Sequence, residues 1–235
     1  EGLSTVSASE IEMRSHIQFY NGMKTSEIQE TLIKAAADLI SEDTPGYQYA
    51  AGRLINYHLR KEVYNSHVPW ELSNHIIEVV SYGYYDKEIL NEYTLDEMAV
   101  LNSYIDHDRD FDIAYAGMEQ FRGKYLVKNR VTGKIYETPQ MAMMLISMVL
   151  FGSYKKDKLK WVKEFYDAIS TFQISLPTPI MAGLRTPQKQ FSSCVLIETD
   201  DSLDSITATA SAITKYVSQK AGIGVGAGRI RAPVP

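Results

Sequence analysis

Cys194 is the only cysteine in 235 residues. It lies in the stretch QFSSCVLIETDDSLDS, residues 190–205. A thiol with no second thiol in its chain is either a small apolar side chain or half of a redox couple completed elsewhere. Three neighbouring features favour chemistry. Ser192 and Ser193 are polar in FSSCVLIE, which reads as a buried core strand. A proline-rich loop carrying Thr178 leads into it, and the acid-and-hydroxyl turn Asp200–Asp201–Ser202 follows it at a helix start. Two carboxylates there would repel a phosphate but can accept a hydrogen bond from a sugar hydroxyl.

Other polar clusters say less. DHDRD at 106–110 offers Asp106 and Asp110 at i and i+4, but a bare carboxylate pair is a weak ligand set, and the cluster reads as a helix-junction cap with surface charge. His16, His58, His67 and His75 show no ligand pattern and read as surface or core-edge residues. The sequence points to no metal site. AGIGVGAG places glycines at 222, 224, 226 and 228. This is no dinucleotide fingerprint, because it follows a helix instead of opening one. Period-two glycine in a strand clears one face for a backbone, a packing neighbour or a flat ligand. The helix start at Lys24–Ser26 and the pair Arg60–Lys61 hint at anion binding, but a cap and a solvated face explain them as well.

The elements that must hold these residues are mostly helical. Helices are predicted at 8–20 (capping box Ser7–Glu10), 24–41 (capped by Thr25 or Ser26), 50–64, 70–82, 95–106, 110–123, 139–152 and 157–171. A hairpin is predicted at 125–138, with Thr132–Gly133 in its turn. Residues 172–190 carry three prolines and one glycine, which predicts an ordered loop without regular helix. A strand at 191–198, a helix at 203–220 and a strand through 221–232 would open an α/β unit. An apolar fraction of 45% and a charged fraction of 23% suit a soluble globular protein, and a net charge of −5 argues against nucleic acid as a partner. The most apolar window, MAMMLISMVLF at 141–151, is too short to span a membrane. One cysteine fits a reducing compartment, so a cytoplasmic location is expected.

SLPTPIMAG, RTP, QFSSCVLIE, DSLDSI and KAGIGVGAGRIRA, together with IKAAADLIS and KYLVKNRVTGKIYETPQ, closely resemble the large subunit of class I ribonucleotide reductase. The resemblance runs nearly end to end and covers what would be the N-terminal third of that subunit. It implies a mainly α fold with the start of an α/β barrel. A partial ATP-cone helical bundle would occupy 1–65, with its nucleotide-gripping hairpin missing. A helical domain with one hairpin would fill 66–172, and the first strands of a ten-stranded α/β barrel 173–235. The chain would be a piece of the subunit or the product of a split gene.

The same resemblance implies reduction of ribonucleoside diphosphates by thiol and radical chemistry. Cys194 matches one of two thiols that supply electrons; its mate belongs to the rest of the subunit. Thr178 matches a substrate position near the diphosphate, and Ser193 a substrate contact. Asp201, Ser202, Leu203 and Arg231 match the specificity site for a deoxynucleoside triphosphate. Thr25 and Lys61 match effector contacts of the cone. Gln29 stands where the well-studied bacterial enzymes carry a histidine, and with the hairpin absent weak or no ATP and dATP binding is expected. No cofactor would be bound in this chain. ATP and deoxynucleoside triphosphates would be effectors, and the radical would come from a metal-containing small subunit. The implied partners are the remaining C-terminal part, that small subunit, thioredoxin or glutaredoxin, and a second copy through the helix at 203–220. The competing reading is a non-catalytic nucleotide-sensing module in which Cys194 only packs.

Overall fold

The computed structural model describes residues 2–232 apart from 4, 17 and 220; the predicted helix end at Lys220 and the chain end at 233–235 therefore lie outside the described residues. The first helices are α1 (Ala8–His16), α2 (Thr25–Ala37) and α3 (Tyr47–Tyr64). Then come α4 (Leu72–Ser81), α5 (Glu88–Glu92) and α6 (Leu95–Asn102). A 3₁₀ turn (His107–Asp112), α7 (Tyr115–Gln120) and a π turn (Phe121–Tyr125) lead to α8 (Pro139–Phe151) and α9 (Lys158–Ser170). Next are α10 (Thr178–Gly183), β1 (Cys194–Glu198), α11 (Leu203–Ser218) and β2 (Gly222–Gly226).

The core forms around α8. Pro139 opens it, in a turn whose N–H groups have no partner within the helix, and every residue from Pro139 to Met148 is buried. A helix apolar on all sides belongs at a centre, with others arranged about it. Its 13 residues extend roughly 20 Å at about 1.5 Å per residue. No described helix is long and apolar enough to cross a membrane. α3 lies close to the 3₁₀ turn and α7. A Cβ added at Gly52 would stand 2.2 Å from the Ile113 carbonyl oxygen, so glycine permits the approach.

Several expectations are corrected. The helix predicted over 110–123 is broken into the 3₁₀ turn, α7 and the π turn, because Asp106 caps the 3₁₀ turn by accepting from the Asp108 amide at 3.2 Å. Asp110 is fully buried, not surface charge, and Asp106 and Asp110 do not share an α-helical face. Among the described residues no group of three or more His, Cys, Asp or Glu is placed to hold a metal. His75 is buried as well, with Nε2 2.9 Å from the Tyr85 hydroxyl; burial pushes its pKa down to about 4 and keeps it neutral. The hairpin at 125–138 has one antiparallel bridge, Lys128 to Ile135, around the turn at Gly133. Residues 172–190 do contain a helix, α10, since Pro179 falls in its first turn, where proline is tolerated. The short α5 was not expected. At α1, the Glu10 carboxylate accepts from the Tyr47 hydroxyl rather than from the Ser7 amide, which donates to the same hydroxyl at 3.0 Å. The N-cap of α2 is Lys24, whose amide donates to the Glu27 carboxylate at 2.9 Å.

β1 and β2 pair in parallel across α11, as strand–helix–strand requires, with Cys194 opposite Gly222, Leu196 opposite Gly224 and Glu198 opposite Gly226. The face cleared by the glycines is filled from β1. Cβ atoms at Gly224 and Gly226 would collide with the Leu196 side chain and the Glu198 carboxylate. The composition of β1 suggests a buried strand; among the described residues it is covered on one face only. Cys194, Leu196 and Glu198 are exposed, and only Val195 and Ile197 are half-buried.

Candidate functional site

α10 carries Thr178 at its start, and the approach to β1 carries Ser193. Both line one cavity of about 880 Å³. Gly222, the register partner of Cys194, lines it too. Cys194 is not among the residues that line it, although its chain neighbour Ser193 and its register partner Gly222 are, and its side chain is exposed in this chain. Lys124, Lys128 and Arg130, from the π turn and the hairpin, complete the wall and give it positive charge. None of the three was given a role in the sequence; they lie 48 to 69 residues before Thr178 and Ser193, with no local pattern joining them.

A buried network fixes α10. Arg185 is fully buried and pairs through two nitrogens with the Glu137 carboxylate, Nε at 2.7 Å. Its remaining donors reach the Met181 carbonyl of α10 at 2.7 Å and the Tyr125 carbonyl of the π turn at 2.9 Å. Glu137 also accepts from the Val127 amide at 2.5 Å and from the Tyr85 hydroxyl at 2.7 Å. A buried ion pair holds only when its further donors and acceptors are met, as they are here. The network ties both strands of the hairpin to the helix that presents Thr178. RTP at 185–187 was visible as a motif, but Arg185 as the strut of the cavity was not.

The second group lies where β1 meets α11. Ser202 caps α11, its hydroxyl accepting from the Ser205 amide at 3.1 Å. Asp201 pairs with Arg231 at 2.9 Å, and Asp200 with Arg229 at 3.1 Å. Three of the four predicted residues are thus brought together across β2. Leu203 is 80% exposed at the first turn of α11.

The third group lies between α2 and α3. Thr25 and Lys61 line one cavity of about 810 Å³, with Ser26, Gln29, His58 and His67. Arg60 does not join it. It turns inward, donating to the His107 carbonyl and covering the Phe111 ring at 4.7 Å, so the Arg60–Lys61 pair is not a solvated face.

Residues 111–189 match the family model described as the all-alpha domain of ribonucleotide reductase, and residues 192–234 match that described as its barrel domain. Together the two stretches cover about half of the chain. The chain belongs to the ribonucleotide reductase large-subunit family. It is 59% identical over 233 residues to the ribonucleoside-diphosphate reductase 1 subunit alpha of Escherichia coli K12, covering 99% of this chain and 31% of that protein. It is 60% identical over 233 residues to the subunit alpha of Haemophilus influenzae, with the same shares. To that of Enterobacteria phage T4 it is 50% identical over 223 residues, 94% of this chain and 30% of that protein. The chain therefore spans about a third of the length of the curated relatives it matches.

Proposed function

We propose that this chain supplies one redox thiol, part of the substrate cavity and part of the specificity site to an enzyme that reduces ribonucleoside diphosphates to deoxyribonucleoside diphosphates. The observation that carries this is the convergence of Thr178 and Ser193 on one positively lined cavity, with Cys194 next to Ser193 in the chain and opposite Gly222 of the same lining. A hydroxyl-bearing helix start and basic side chains suit a diphosphate. In the reaction, loss of the 2′ hydroxyl as water consumes two electrons. Two thiols provide them and become one disulfide. Cys194 is one of the two; the other, and the radical site, belong to the rest of the subunit. The radical is made by a metal-containing small subunit, and thioredoxin or glutaredoxin restores the dithiol.

The Asp201–Ser202–Leu203 turn with Arg231 is proposed as the place where a deoxynucleoside triphosphate is read. A second copy packs on the exposed Leu203, Ile206, Tyr216 and Val217 of α11. The pocket of Thr25 and Lys61 takes ATP or dATP weakly, with Gln29 in place of a histidine. The division into a cone at 1–65, a helical domain at 66–172 and the barrel from 173, and a cytoplasmic location, belong to the same reading.

The sensing-module alternative, in which Cys194 only packs, is separated from this reading by turnover. Mixing this chain with a polypeptide covering the rest of the subunit, the small subunit, thioredoxin and CDP should yield dCDP. The same mixture with Cys194→Ser should yield none while the variant chain keeps its melting temperature. Equal product from both would contradict the assignment.

A further inference from the structure

The pocket of Thr25 and Lys61 has a wall outside the two helices that carry those residues. It consists of Thr132, Gly133 and Lys134, the turn of the hairpin. That turn is well fixed. The Asn129 side chain accepts from the amides of Val131 and Thr132 at 2.8 and 3.1 Å, and the Gly133 amide donates to the Asn129 carbonyl at 2.8 Å. It is also tied to α3, because the Ile135 amide donates to Glu62 at 3.0 Å. Glu62 is the carboxylate of this pocket, and the bond engages part of its charge at the wall. Lys134 is exposed, and its ammonium rests 5.1 Å from the Tyr136 ring centroid. Gln29 Oε1 and His67 Nδ1, from residues lining the same pocket, are buried atoms without a hydrogen-bond partner.

The hairpin also reaches the other cavity. Tyr136 stacks on Tyr84, centroids 4.6 Å apart and planes 27° apart. Tyr84 lines the cavity of Thr178 and Ser193, as do Lys128 and Arg130 of the hairpin. One short hairpin thus contributes walls to both sites.

We propose that Lys134 is a further anion-binding residue of the Thr25–Lys61 pocket, and that its contact with a bound polyphosphate links that pocket to the wall of the Thr178–Ser193 cavity through Tyr136 and Tyr84. The proposal rests on the reading of this pocket as an effector site. A polyphosphate held by Lys61 and the start of α2 faces Lys134 across the pocket. Attraction to a full negative charge exceeds attraction to a ring face, so the ammonium leaves Tyr136 for the anion and the Tyr136–Tyr84 stack adjusts.

The test is binding of inorganic tripolyphosphate and of dATP to this chain at low salt, with hydrogen exchange read on the segments around Tyr84 and 129–136. Wild type is expected to bind at millimolar ligand, weakening as salt rises, and both segments should change their exchange. Lys134→Ala should weaken binding about fivefold or more, the size of one charge-assisted contact at a partly open site. Tyr136→Leu should bind as wild type and lose the response around Tyr84. If Lys134→Ala binds within about twofold of wild type while Lys61→Ala does not bind, Lys134 has no part in the site and the effector reading stands. If wild type binds neither ligand, both fall. If Tyr136→Leu keeps the response around Tyr84, the link is overturned.

Discussion

Cys194 is a residue whose surroundings differ from those its neighbours in sequence imply. The run FSSCVLIE reads as a buried strand, yet in this chain, which spans about a third of its relatives, the face of β1 bearing Cys194, Leu196 and Glu198 is open. A sequence tells which residues alternate but not which face a partner covers, and α11 covers the opposite one. Asp110 shows the converse. Among the acids of DHDRD it alone is fully buried, where burial pushes its carboxyl up to about 7 against the pull of Arg60. A carboxyl whose pKa is raised by folding favours the folded state fully below its unfolded value near 4. That contribution is lost as pH rises through about 7. Thermal melts between pH 5 and pH 8.5 should therefore show wild type losing stability relative to Asp110→Asn as pH rises. Parallel profiles would contradict the burial of this acid.

At the scale of elements, long helices with clear apolar faces were legible: α2, α3, α4, α8 and α9 fall where the periodicity puts them. The strand–helix–strand unit was legible too, and its two strands pair in parallel. The segment 107–125 was not, because short 3₁₀ and π turns obey capping and tertiary contacts more than period. α10 was hidden by its own prolines, which terminate a helix in its interior but are accepted in its first turn. The strut holding α10 makes its own prediction. Arg185→Met leaves Glu137 charged and buried without its partner and should cost roughly 3–5 kcal/mol. Arg185→Met with Glu137→Leu should recover much of that loss, since removing both charges leaves neither unpaired. Chemical denaturation of the three proteins measures this. A double variant as unstable as the sum of the single changes would contradict a coupled pair.

For the whole molecule, the motifs that carried the family resemblance are the ones the fold gathers. Thr178 and Ser193 share a cavity, Asp201 meets Arg231, and Thr25 and Lys61 share a second cavity. What sequence could not supply was the set of walls contributed from a distance: Lys124, Lys128 and Arg130 at the first cavity, Lys134 at the second. The hairpin that bears most of them was recognised as a hairpin, yet nothing in its residues tells that it lies between two pockets.

The central claim concerns the electrons of Cys194. With the remainder of the subunit and the small subunit supplied, and no external reductant, the enzyme is limited to the turnover its own thiols support. Peptide mapping after that turnover should find Cys194 protected from alkylation and joined in a disulfide to a cysteine of the remainder, with one deoxynucleotide formed per disulfide. Deoxynucleotide formed while Cys194 stays free and alkylatable would contradict the account.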